Sequence, residues 1–259
     1  MPFKPRERVR FNKNPLKEVI CQLTFVAKDK KYDAPEWLVH FHDLIRDKLP
    51  FLNKRNEVTV DVNTDTQSIT EHQETIYEFS NLESTLNVTY DGQNVTCFTS
   101  DYTCKEDFFS VIELFRSSLM KIELNNNMPF SRVSLRYKDV IERSDLGYSK
   151  NEPWSNLLNE RLTGAISAHE FSEDVRGFQS KLAIKLDSDI SLNSTYGLIR
   201  NIKTEEMCFL IDCDFFIEGV INDDDVMPHL SRANEYARNF FQWCITEKLY
   251  QGLEPTKIE

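Results

Sequence analysis

Residues 131–142, Ser-Arg-Val-Ser-Leu-Arg-Tyr-Lys-Asp-Val-Ile-Glu, alternate as a strand with one covered face does. Val133, Leu135 and Tyr137 fall on one side; Arg132, Arg136 and Lys138 fall on the other. The position of this strand in the chain decides the fold. Before it lies a helix-spaced segment, about 103–124, with Phe108, Ile112, Phe115, Leu119 and Ile122 on one stripe, and then the joint Asn125-Asn126-Asn127. After it, Pro153-Trp154 opens a second helix to about residue 168. Strands near 177–187, 195–203 and 207–220 follow, and a long helix runs from Pro228 to about 250. Its stripe is Leu230, Ala233, Ala237, Phe240, Phe241 and Cys244.

The first half carries the same order. Residues 18–26 read as a strand, and a helix follows from about Pro35, with Leu38, Phe41, Leu44 (or Ile45) and Leu49 at helical spacing. Strands near 57–63, 75–81, 85–90 and 94–100 come next, with Asp91-Gly92 as a hairpin turn between the last two. Both halves thus read β-α-(three or four β)-α. Hairpin-linked strands with helices at fixed places predict an α+β fold of antiparallel sheets. The expected plan is two similar halves, 18–127 and 128–259, pseudo-dimeric and saddle-like, behind a basic arm over 1–17.

The 259 residues are 40% apolar and 12% aromatic, enough to bury a sizeable core, which excludes wholesale disorder. Seven glycines never cluster, so no segment supplies a Gly-rich phosphate cradle. No apolar run follows the basic start, and none reaches the roughly 18–20 residues needed to cross a bilayer. The cysteines (Cys21, Cys97, Cys104, Cys208, Cys213, Cys244) show no paired spacing and are expected to be reduced. The expectation is a cytoplasmic protein with no membrane contact. Residues 1–17 hold six basic side chains and Glu7, about +5, leaving about −16 for the remainder of a net −11. Such an arm either grips an acidic partner or nucleic acid, or docks on the chain's own acidic surface.

No cofactor is expected. His40 and His42 are two apart on a predicted helix and do not converge on one ion, while His72, His169 and His229 stand alone. No Gly-x-Ser-x-Gly elbow exists, and no cysteine has a cationic local context. The carboxylates offer more. In the strand near 207–220, Asp212 and Asp214 share one face and the apolar Phe209, Ile211, Cys213 and Phe215 the other. Paired Asp can hold a divalent ion or serve acid–base chemistry; equally, they form the solvated face of a half-buried strand. The Arg132/Arg136 row either contacts phosphate or cross-pairs with the Asp212/Asp214 row on a neighbouring strand. Tyr236, Trp243 and Tyr250 recur every seven residues beside the stripe of the last helix, facing either another chain or a thick core.

Three patches resemble one family. Asn14-Pro15-Leu16 followed by Glu18-Val19-Ile20-Cys21-Gln22-Leu23-Thr24-Phe25 is similar to its opening motif. Leu135-Arg136-Tyr137 resembles its mid-chain strand, although Lys138-Asp139 stand where the family commonly has an Asn after the Arg-Tyr. Phe240-Phe241, Cys244 and Ile245-Thr246 resemble its closing helix. The family is a sporadically distributed set of bacterial and archaeal proteins of about this length. The resemblance implies a prokaryotic cytoplasmic protein and supplies no activity, cofactor or catalytic residue. Patchy distribution implies accessory genes such as toxin–antitoxin and defence cassettes. The leading expectation is a non-enzymatic protein-interaction protein, a homo-oligomer or a partner's scaffold. The alternatives are an ion-dependent enzyme or small-ligand binder on the Asp212/Asp214 face, and nucleic-acid binding through the arm.

Overall fold

The computed structural model describes residues 3–5, 7–29, 32, 36–63, 68–122, 124, 128–168 and 175–258, with 58–63 and 68–73 described by backbone alone. Arg6, Pro35, the Asn125–Asn127 joint, His169 and the side chain of His72 lie outside the described residues. The class is α+β, with 30% helix, 39% strand and antiparallel sheets.

Eleven strands and six helices are described. In chain order they are β1 (Val9–Phe11), β2 (Leu16–Phe25), α1 (Glu36–Ile45), β3 (Phe51–Asn63), β4 (Ser68–Ser80), β5 (Leu86–Tyr90), β6 (Asn94–Thr99) and α2 (Lys105–Lys121). Then come β7 (Phe130–Ile141), α3 (Trp154–Leu157), α4 (Glu160–Thr163), β8 (Gln179–Lys185), β9 (Ser191–Arg200), β10 (Met207–Ile221), α5 (Val226–Cys244), α6 (Glu247–Gly252) and β11 (Pro255–Lys257). The chain divides into two compact units that cut across the 127/128 division. One holds Met1–Val19, Ser134–Ile217 and His229–Glu259; the other holds Ile20–Val133 and Glu218–Pro228. Strands β2, β7 and β10 each contribute residues to both.

In the unit built on Ile20–Val133 the strand order is β3-β4-β5-β6-β2. Alternation in β2 buries Val19, Cys21, Leu23 and Phe25, as a strand with one covered face must. Phe41 of α1, Phe79 of β4 and Phe115 of α2 form an edge-to-face triangle, with centroids 4.7–5.6 Å apart. Each ring is 1% exposed or less, and such burial contributes about 1.5–3 kcal/mol per ring. The β5–β6 turn is chemically specified. Asp91 Oδ1 accepts from the amides of Gln93 (2.8 Å) and Asn94 (2.6 Å), and Gly92 adopts φ +91°. A Cβ on Gly92 would lie 2.7 Å from the Tyr32 ring, so both the conformation and the space require glycine.

The other unit orders its strands β7-β10-β9-β8 under α5. Phe209 and Phe215 of β10, Leu135 of β7 and Leu230 of α5 are fully buried there. Two predicted long helices are broken. The one expected over 153–168 is α3, α4 and a 3₁₀ turn (Gly164–Ser167), and the one expected over 228–250 stops at Cys244 and restarts as α6. The two breaks meet: Leu158 and Ile245 form an antiparallel bridge, Asn159 N donates to Cys244 O (2.8 Å) and Thr246 N to Leu157 O (2.9 Å). Backbone groups released by each helix end are satisfied by the other.

Candidate functional site

The basic row of β7 and the acidic row of β10 meet on one sheet face. Arg136 Nε and Nη2 each donate to Asp212 at 2.6 Å, a bidentate pair, and these hydrogen bonds raise the Arg136 pKa. Lys138 Nζ donates to Glu18 Oε2 of β2 (2.6 Å), and Arg132 Nη1 lies 4.0 Å from Glu218. Asp214 is half-buried on the same face. Among the described residues no group of three or more His, Cys, Asp or Glu is arranged to hold a metal ion. Asp212, one of the two candidate ion ligands, is held by a guanidinium.

The opposite, α5-covered face of β7 holds a group that the sequence reading did not single out. Asp139 follows the parity of Val133, Leu135 and Tyr137 into the core and is 8% exposed. Burial, with the Asp212 charge adding to it, raises its pKa to about 7. Its charge in turn raises the thiols of Cys213 and Cys244, whose largest cause is burial. The parity was legible; the thickness of the layer above it was not.

The aromatic line of the last helix is engaged within the chain. Tyr236 is 4% exposed and donates to Asp187 Oδ2 at 2.8 Å; burial, then that bond, raises its pKa to about 12. Trp243 is half-buried against Phe240 (5.7 Å) and Phe3 (5.6 Å), and Tyr250 packs edge-on to Phe11 (5.7 Å). Phe3 and Phe11 belong to the basic arm, so the arm packs on both helices, α5 through Trp243 and α6 through Tyr250. Strand β1 pairs with β11 (Phe11↔Pro255), Lys257 pairs with Glu7 (2.8 Å) and Lys13 with Glu254 (3.0 Å). The arm therefore docks through rings and a two-stranded ladder as much as through charge.

A second polar cluster sits where β7 ends. Arg143, 8% exposed, donates through Nη1 to Glu152 O (2.8 Å) and through Nη2 to Met207 O (3.1 Å). Its guanidinium lies 4.3 Å over the Trp154 ring, and burial lowers its pKa. Glu206, with a side chain 1% exposed, is 4.0 Å from Arg143 Nε and 3.8 Å from Lys150 Nζ, and accepts from Ser144 N at 3.2 Å. Burial alone would raise that carboxyl, but the hydrogen bonds from Ser144 and the charge of Lys150 outweigh it and hold its pKa below the ordinary value. Beside this cluster opens a cavity of about 500 Å³. Sequence reasoning missed it because Arg143, Lys150, Arg176 and Glu206 lie in four separate stretches with no shared period. A search against protein-family models and a search of curated proteins each find no match to this chain.

Proposed function

We propose that the chain is a protein-interaction protein acting as a scaffold rather than as an enzyme. The observation that carries this reading is the outer edge of β8. Gln179–Lys185 pairs with β9 on one side only (Gln179↔Gly197 to Lys185↔Ser191), and no described strand pairs the other side. Its alternating Gln179, Lys181, Ala183 and Lys185 are exposed, while Leu182 and Ile184 are half-buried. Neither lysine makes an ion pair among the described residues, although the chain carries a net −11. An open edge offers unpaired N–H and C=O groups to an extended segment, and two lysines on one side favour acidic residues at alternate positions. The family resemblance adds the setting: a prokaryotic accessory system of the defence or toxin–antitoxin kind.

Edge lysines also deter self-pairing, and charge reversal separates the two roles. Anisotropy of a labelled extended peptide with alternating Glu and Val tests the reading, beside a Lys/Val peptide as control. The Glu peptide should bind with an affinity that falls as salt rises, and Lys181→Glu with Lys185→Glu should weaken it about tenfold or more. Failure of the Glu peptide to bind, or binding that ignores the double reversal, removes this edge as the interaction surface.

A further inference from the structure

The chain holds a second open strand edge. Strand β3 is paired by β4, over Phe51↔Ser80 to Asn63↔Ser68, and no described strand pairs its other side. Strand β5 reaches only Tyr77–Ser80 of β4. From Arg55↔Ile76 to Asn63↔Ser68 the ribbon therefore has two described strands and no described third. A lone two-stranded ribbon is marginally stable in water, so an added strand has most to contribute there. Phe51 and Asn53–Glu57, at the described end of this edge, are exposed.

The unsupported stretch has the composition that the β8 edge selects. Residues 57–63 read Glu-Val-Thr-Val-Asp-Val-Asn, and period two places Glu57, Thr59 and Asp61 on one face of β3 and Val58, Val60 and Val62 on the other. The two acids are four residues apart, as Lys181 and Lys185 are. Laid antiparallel with Glu57 opposite Lys185, Asp61 falls opposite Lys181 and Thr59 opposite Ala183. Val58 and Val60 then fall opposite Ile184 and Leu182 on the second face. All seven residues of β8 gain a partner position, acid with lysine and apolar with apolar. Arg55 lies beyond the end of β8 in this register and meets neither lysine. Glu57 is 3.2 Å from Arg55, but both side chains are half exposed, and such a surface pair is worth little. The antiparallel sense is that of the β3–β4 and β8–β9 ladders, and it is the slightly stronger one.

We infer that the acidic strand taken by the β8 edge is β3 of a second copy of this chain, with Glu57 set against Lys185 and Asp61 against Lys181. The inference rests on the open β8 edge proposed above and names its occupant. The contact is heterologous, β3 of one copy on β8 of the next, so the assembly either closes on itself or grows as an open chain. One seven-residue ladder is a small interface, and the association is accordingly weak and concentration-dependent.

Sedimentation velocity on the full chain, at up to about 0.5 mM, tests this. The wild type should self-associate as its concentration rises. Lys181→Glu with Lys185→Glu, and separately Glu57→Lys with Asp61→Lys, should each weaken that association about tenfold or more. Mixing the two double variants should restore it, because every β3–β8 contact between them again joins opposite charges. Recovery on mixing also shows that both variants are folded. A wild type that stays monomeric over the whole range, double variants that associate as it does, or a mixture that stays dissociated would each overturn the inference. The alternating Glu/Val peptide separates this inference from the one beneath it. If the peptide binds the Glu57→Lys, Asp61→Lys variant while the wild type is monomeric, the β8 edge stands and a second copy is the wrong occupant. If it does not bind that variant, the β8 edge falls, and the inference with it.

Discussion

Asp139 concentrates the electrostatic consequence of a strand's parity at one residue. Its folded pKa of about 7 stands above the ordinary 3.8, with burial the main cause. The folded state therefore holds a proton that the unfolded chain has released. That contribution to stability is fully present below about pH 4 and is lost as pH rises through about 7. Asp139→Asn should remove this slope: melting temperatures of the variant and the wild type should converge near pH 4 and below. At pH 8 the variant should be the more stable, by on the order of 1–3 kcal/mol. A variant less stable at pH 8 than at pH 5 relative to the wild type would show that the carboxylate is ionised and satisfied. The Arg136–Asp212 pair behaves differently, since its arginine side chain is 43% exposed and its aspartate only 11%. Arg136→Ala leaves Asp212 poorly solvated without its cation and should cost about 1–2 kcal/mol in denaturant midpoint, less than a fully buried pair. A double-mutant cycle with Asp212→Asn should recover a coupling of about 1 kcal/mol, and no coupling would mean water replaces the arginine. The cross-pairing itself was legible as two rows of opposite charge. Which rows would neighbour each other required the strand order.

At the scale of elements, the alternation of β2, β7 and β10 and the Asp91-Gly92 turn read directly, because period 2 and φ > 0 are local properties. The two long predicted helices did not. Apolar spacing continues through Leu157-Leu158 and through Cys244-Ile245, so periodicity alone carries each helix onward. The interruption is visible only as a pair, one break hydrogen-bonded to the other. Thr246 is the joint: it caps α6 by accepting from Leu249 N (3.3 Å) and donates to Asn156 O (2.7 Å). Thr246→Ala should cost about 1 kcal/mol, read as a fall of roughly 2–4 °C in melting temperature, and Thr246→Ser should restore most of it. Asn159 plays the matching part, accepting from Arg161 N and donating to Trp243 O at 3.0 Å. An unchanged melting temperature in Thr246→Ala would show that the bridge holds the break without its cap.

At the scale of the molecule, none of the six cysteines is in a disulfide, and five of them are buried. Burial raises the Cys97 and Cys213 thiols far above their usual value and that of Cys208 to about 11, so native thiolate is scarce. A chromogenic disulfide reagent should titrate one thiol quickly in the folded protein, the half-buried Cys104, and all six in denaturant. Several fast thiols in the native state would mean that the interior opens readily. The arm gives the second test at this scale. Phe3 is 7% exposed and seated between Phe240 (5.1 Å) and Trp243, so Phe3→Ala should cost on the order of 2 kcal/mol and shift tryptophan emission to the red. By itself, the amino-acid sequence determined the α+β class, the antiparallel hairpins, the covered faces of β7 and β10 and the acidity surrounding a basic start. These are properties of near neighbours in the chain and of bulk composition. Only the tertiary structure decided that the arm's rings pack on Trp243 and Tyr250, that Asp139 is buried, and that Arg143, Lys150 and Ser167 line one cavity. Such placements depend on which distant segments share a layer, and no local period encodes that.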